Sequence, residues 1–251
     1  VSPPGRPVFG FVPNAIDTDA VVALVRDPPD RMRLAVTPNL DHVVRLRRDA
    51  AFRDAYRRAS LVLCDGFPVQ IYARLHSHRA RRVTGCDLVA GLLRRPPADD
   101  RERWFFVVDQ APTATAVERW AAGSRQIDVA VPAMGFVHDE TTCAALASRI
   151  AAHRTTLLVM AVGAPQSEIF VDRWRASLPP CWAVCVGQAV KAGLGLVRRA
   201  PGPVRALHLE WLWRVVQEPR RLGRRYGLGA PSFMVAVLDD LRRPVLLDGD
   251  R

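Results

Sequence analysis

Short, mostly apolar runs alternate along this chain with longer stretches patterned for helices. The runs VFGFV (8–12), RLAV (33–36), LVL (61–63), WFFVV (104–108), DVAV (128–131), TLLVMAV (156–162) and AVCV (183–186) show no strict apolar–polar alternation. That predicts strands buried on both faces, as parallel sheets require. Helical patterns lie between them. One opens at Asp17-Thr18-Asp19, one covers His42 to Arg58, one starts near Pro68, and others cover Pro112 to Ala122, Thr141 to His153 and the region of Glu168. Strand–helix alternation with short connections predicts an α/β fold, a doubly wound parallel sheet flanked by helices. No repeat of solenoid period is present.

The polar stretch RRPPADDRER (94–103) is the best internal boundary, dividing residues 1–200 into two halves. Residues 201–251 change character. Trp211, Leu212, Val215 and Val216 form an apolar helical stripe; Arg214, Arg220, Arg221, Arg224 and Arg225 form a cationic side, followed by Tyr226. This predicts a basic amphipathic helical appendage. It either lies at a membrane interface, closes over an anionic ligand, or packs on the core with its arginines in water.

Charge sharpens the picture. The net charge is +11, and Lys191 is the only lysine in 251 residues. Such a balance admits nucleic acid, an anionic membrane surface or a diphosphate substrate, and arginine supplies the planar fork that suits phosphate. No nucleic-acid reader motif is found, so nucleic acid is not an expected partner. Cys64, Cys86, Cys143, Cys181 and Cys185 form no CxxC pair and no zinc spacing, which predicts reduced core thiols in a cytosolic protein. Nothing at Val1-Ser2-Pro3-Pro4 reads as a signal peptide, and the longest apolar runs are too short to span a bilayer. GxGxxG, Walker and GxSxG signatures are missing as well.

Candidate chemistry concentrates in Ser60–Leu88, SLVLCDGFPVQIYARLHSHRARRVTGCDL. A strand breaks at Asp65-Gly66, which puts a carboxylate where open α/β sheets bind ligands, at a strand's carboxyl end. Arg81-Arg82 then lead into the turn Val83-Thr84-Gly85, a cationic turn able to meet a phosphate. The plainer alternative is that Asp65 caps the following helix and the arginines are solvated. Thr37-Pro38-Asn39 ends another strand, where Asn39 either lines the crevice or caps a helix. Asp17-Thr18-Asp19 has the form of a metal–nucleotide DxD signature, but its place before AVVALV fits an N-cap better.

Six motifs in order now stand out: TPN (37–39), CDGFPV (64–69), RRVTGCDL (81–88), GAPQSE (163–168), VGQAVKAGLGLVRRAP (186–201) and EWLWRVVQEPRRLGRRY (210–226). Together they resemble the WecG/TagA/CpsF glycosyltransferases over nearly the whole chain. The resemblance implies a Rossmann-like domain that transfers a sugar with inversion and without metal or other cofactor. The donor is a nucleotide sugar, expected to be UDP-linked; the acceptor is a polyprenyl-diphosphate-linked saccharide at the cytoplasmic face of the membrane. A homo-oligomer is compatible with it. Asp65 matches the family's general base, and Thr37, Asn39 and Arg82 match pocket residues. Through the matched motifs Gly85, Gly163, Pro165, Ser167, Glu168, Gly187 and Lys191 are also expected to line the substrate and donor site. Arg214, Arg221, Arg224 and Arg225 match appendage arginines that reach the diphosphate.

Three departures accompany the match. Ser167 stands where the family has glutamine in PKQE. Val108-Asp109-Gln110 replaces a glycine-rich turn, so Asp109 is expected to repel a phosphate there. Lys191 replaces the acid of VGxxFD, a reversal that on its own favours a uronic acid or other unusual donor. A non-catalytic, membrane-associated relative is the competing expectation.

Overall fold

Runs that are apolar at every position, such as WFFVV, must be covered on both faces, and the structure satisfies this with one six-stranded sheet between two helical layers, the edge strand at Ile127–Ala130 being only half-buried. The computed structural model describes residues 7–201 except 77, 78, 98, 100 and 199, three positions between 204 and 216, and the helix Pro219–Arg242, in which side chains are described at 229 and 231–242. The strands are β1 (Arg33–Val36), β2 (Leu61–Val62), β3 (Trp104–Val108), β4 (Ile127–Ala130), β5 (Leu157–Ala161) and β6 (Trp182–Cys185). All pairings are parallel, in the order β2-β1-β6-β5-β3-β4.

The pleat sorts alternate residues into two cores. Leu34, Val36, Phe105, Val107, Leu158, Met160, Ala183 and Cys185 face one side. Ala35, Trp104, Phe106, Val108, Leu157, Val159, Trp182 and Val184 face the other. Helices α2 (Leu40–Leu46), α3 (Ala50–Arg57), α7 (Glu140–Ala152) and α8 (Gln166–Arg173) cover the first side. Helices α1 (Thr18–Arg26), α5 (Gly85–Leu93), α6 (Ala111–Ala121) and the short α9 (Ala189–Gly193) cover the second. Neighbouring β5 and β3 therefore send their following helices to opposite faces, and so do β6 and β1. Such reversals open a crevice at the carboxyl edge of the sheet, where ligands bind in this architecture.

The α/β parallel architecture expected from the sequence is observed, with local differences. VFGFV forms no strand of the sheet. Phe9 and Gly10 take positive φ (51° and 86°), folding the run back so that Val8 bridges Phe11 antiparallel. The aromatic rings gain from this: Phe9 stacks on Tyr72 at 4.6 Å between centroids and meets Phe233 at 5.5 Å. The predicted helix over 42–58 is two helices, because Asp49 leaves the helical path and accepts the Phe52 N–H as a new N-cap. Helix α5 goes beyond the predicted turn: Thr84 caps it, accepting from Asp87 N at 3.0 Å and donating to the Asp87 carboxylate at 2.7 Å. Asp17 caps α1 through Ala20 N. Across the Arg94–Arg103 boundary the sheet is continuous, since β1 pairs with β6.

The last described helix, α10 (Pro219–Arg242), lies against α2. Phe233 and Ala236 are buried, and Arg47 pairs with Asp239. Asp240 accepts hydrogen bonds from Tyr72 Oη and Phe9 N, both at 2.8 Å. Hydrogen bonds to a charged acceptor contribute roughly 1.5–3 kcal/mol each, so Asp240 fastens α10 to α4 (Phe67–Leu75) and to the N-terminal turn. The outer face of α10 exposes Met234, Val235, Leu238 and Leu241. All five cysteines are free and buried, and burial pushes the Cys64 and Cys181 thiols up to about 12, which keeps them protonated and unreactive.

Candidate active site

Because every strand runs the same way, the segments leaving β1, β2, β3, β5 and β6 converge on one edge. Thr37-Pro38-Asn39 leaves β1. Thr37 is buried and its hydroxyl donates to Cys185 O at 2.9 Å, tying the ends of β1 and β6 together. Asn39 Oδ1 accepts from Asp41 N and His42 N at 3.0 and 3.3 Å. The cap uses Oδ1 alone and leaves the amide nitrogen available at the crevice.

Asp65 leaves β2 beside these residues. Its own N–H and that of Gly66 both donate to Pro38 O, at 3.2 and 3.4 Å. Helix α4 takes Gly66 as its N-cap and has no side-chain cap. The N-cap residue of α4 is thus Gly66 rather than Asp65, and Asp65 is half-buried at the crevice edge. A parallel bridge from Cys64 to Arg82, with Val83 N donating to Cys64 O at 3.0 Å, brings the cationic turn alongside Asp65. Arg81 pairs with Asp17 on the surface, leaving Arg82 as the arginine of that turn nearest the strand.

Two polar residues that the sequence reading passed over hold this turn in place. Gln70, fully buried in α4, donates to Ala80 O at 3.2 Å, and Arg74 donates to the same carbonyl at 3.1 Å. A glutamine inside the apolar run PVQIY was the available signal. Gly85 then opens α5 against the end of β6. A Cβ there would meet Val186 O at 3.1 Å, so a side chain would push the turn away from the sheet.

The second half supplies the other wall. Gly163 (φ 87°) follows β5, and Pro165, joined to Ala164 by a cis peptide, precedes α8. Gly187, after β6, lies against Gly163, its Cβ position 4.0 Å from Gly163 Cα. Ser167 and Glu168 are buried: Ser167 Oγ donates to Gly163 O at 3.2 Å. Burial raises the pKa values of Tyr56 and Cys185, and nearby Glu168 adds to both rises. Burial pushes the Glu168 carboxyl up to about 7, against opposing pulls from its own backbone N–H and then from Arg45. His42 Nδ1 meets Tyr56 Oη at 2.6 Å in the same buried group.

The two charge departures prove to be partners. Lys191 Nζ donates to Asp109 Oδ2 at 2.7 Å and to Gln110 Oε1 at 3.3 Å, and Gln188 Nε2 donates to the same Asp109 oxygen at 3.2 Å. Asp109 leaves β3 and Lys191 belongs to α9 beyond β6, so the pair crosses the carboxyl end of β5, which lies between those strands. Asp109 is thus compensated and Lys191 is not a free cation, contrary to what either residue suggests alone. Among the described residues no three His, Cys, Asp or Glu side chains cluster as a metal site would require. Arg214 and the side chains of Arg221, Arg224 and Arg225 lie outside the described residues.

Against known proteins, the profile of the glycosyl transferase WecG/TagA/CpsF family matches residues 6–245. The chain belongs to this family. It is a glycosyltransferase by descent. One relative, the N-acetylglucosaminyldiphosphoundecaprenol N-acetyl-beta-D-mannosaminyltransferase of Bacillus spizizenii (strain ATCC 23059 / NRRL B-14472 / W23), is 28% identical over 204 residues, covering 81% of this chain and 77% of its own. The protein of the same name from Bacillus subtilis (strain 168) is 25% identical over 194 residues, covering 77% and 74%.

Proposed function

We propose that the protein is an inverting transferase that moves a sugar from a nucleotide sugar, UDP-linked, to a saccharide carried on a polyprenyl diphosphate, in the synthesis of a cell-surface polymer. The observation that carries this reading is the position of Asp65: a carboxylate at the carboxyl end of a parallel strand, one residue ahead of the Gly66 N-cap, with the Arg82 segment bridged to Cys64 beside it. The names of the two relatives support the lipid-linked acceptor.

In this reading Asp65 takes the proton from the acceptor hydroxyl as that oxygen attacks the anomeric carbon. The new glycosidic C–O bond forms on the face opposite the leaving diphosphate, whose bond to the anomeric carbon breaks with its electron pair staying on the diphosphate. Nucleoside diphosphate departs and the anomeric configuration inverts. Arg82 and the backbone N–H groups opening α5 and α8 face the growing negative charge, so no metal is needed for that step. Asn39 and Thr37 shape the acceptor side; the Gly163–Gly187 contact lets the donor approach the backbone closely.

A lipid-linked acceptor supports action close to a membrane, in this reading at its cytoplasmic surface. No helix among the described residues is long and apolar enough to cross a bilayer, and the exposed apolar face of α10, with the excess of arginine, suits attachment to an anionic surface. The test is transfer from UDP-N-acetylmannosamine to a detergent-solubilised polyprenyl-diphosphate N-acetylglucosamine, with and without a chelator. A β-linked product, formed at the same rate with chelator, supports the reading; no product from any nucleotide sugar sinks it.

A further inference from the structure

We infer that the Lys191–Asp109 pair is a specificity device that sets the donor pocket for neutral sugars and against sugars bearing a carboxylate. The inference rests on the transferase reading above, since it takes the crevice at the ends of β3, β5 and β6 as the donor's place. It reverses what Lys191 suggests as an isolated residue.

Geometry carries it. The pair spans two strand spacings, from the end of β3 to α9 beyond β6, and so crosses the carboxyl end of β5 at the mouth of the crevice. Its side chains are 13% and 11% exposed, and so stand at the boundary between crevice and core. Lys191 uses two of its three N–H donors on Asp109 and Gln110. Asp109 Oδ2 accepts two, and Oδ1 is buried without a partner. A lysine so engaged offers a carboxylate donor little net attraction, because any approaching anion meets Asp109 at nearly the same range. What the cluster leaves for a ligand is the unused amide halves of Gln110 and Gln188, both exposed. Amides offer a donor and an acceptor at no net charge, the complement of hydroxyl and acetamido groups.

Matched donors that differ only at C6 isolate the effect: UDP-N-acetylmannosamine against UDP-N-acetylmannosaminuronic acid, and UDP-glucose against UDP-glucuronic acid. Binding of each to the full chain is measured by calorimetry, and transfer by product formation. In the wild type the neutral member of at least one couple binds about tenfold or more tightly than its acid. Asp109→Asn, isosteric and uncharged, frees Lys191 and moves that ratio toward the acid by about tenfold; Asp109→Asn combined with Lys191→Met returns it. Lys191→Met alone leaves Asp109 uncompensated and weakens acid binding further. A wild-type preference for the uronate, an unmoved ratio in Asp109→Asn, or no binding by any of the four donors overturns the inference. Neutral-donor binding with the predicted ratios but no transfer leaves it standing and removes the transferase reading instead.

Discussion

Glu168 carries a pH-dependent load that one isosteric substitution removes. The residue is 1% exposed, and its Oε2 is buried with no hydrogen-bond partner. Burial raises its pKa from 4.5 to about 7. The folded chain therefore binds a proton that the unfolded chain has already released between those values, so this carboxyl's contribution to stability is fully present below pH 4.5 and is lost as pH rises through about 7. A shift of two to three units, at about 1.4 kcal/mol each, makes the loss about 3 kcal/mol at pH 9. Glutamine keeps the shape and the acceptor while remaining neutral throughout. Glu168→Gln should exceed the wild type by less than about 1 kcal/mol at pH 5, and by about 3 kcal/mol at pH 9. Urea unfolding followed by tryptophan fluorescence at several pH values between these limits reads the difference directly. A difference that stays flat with pH, or a variant less stable at pH 9, refutes the burial argument.

Other outcomes follow from single contacts. Gly85→Ala places a methyl group 3.1 Å from Val186 O, so the melting temperature falls by an amount equivalent to about 1–3 kcal/mol, and transfer falls with the displaced turn. Asp240→Ala removes the acceptor of Tyr72 Oη and Phe9 N; limited proteolysis should then cut near α10 well before the sheet domain opens, with a loss of about 3–6 kcal/mol in the hold on α10. Gln70→Leu leaves Ala80 O with Arg74 as its remaining side-chain donor, and should raise the donor's KM more than it lowers the melting temperature.

Elements buried on both faces were the most legible part of the chain. WFFVV and TLLVMAV could not be solvated on either side, and both are central strands as read. VFGFV had the same composition but not the same fate, because Gly10 permits a reversal that brings Phe9 onto Tyr72 and Phe233 from distant segments. The break at Asp49 was hidden among arginines that mask helical periodicity, although the Asp-Ala-Ala-Phe cap was present in the sequence. At the site, Asp65, Asn39 and Gly163 were each visible as polar or glycine residues at strand ends, and Arg82 as part of a cationic turn. What they do with one another was not. Asp109 and Lys191 are 82 positions apart and meet only because β5 inserts between β3 and β6, so the sequence shows two separate anomalies where the fold shows one compensated pair.

The central claim is that Asp65 removes the acceptor's proton. Its most direct test is Asp65→Asn assayed for transfer and, on the same preparation, for donor binding by calorimetry. The account predicts a loss of about 10²–10⁴ in kcat with donor affinity changed by less than about threefold. Transfer at the wild-type rate by Asp65→Asn contradicts it, and so does a loss that tracks donor affinity with kcat unchanged.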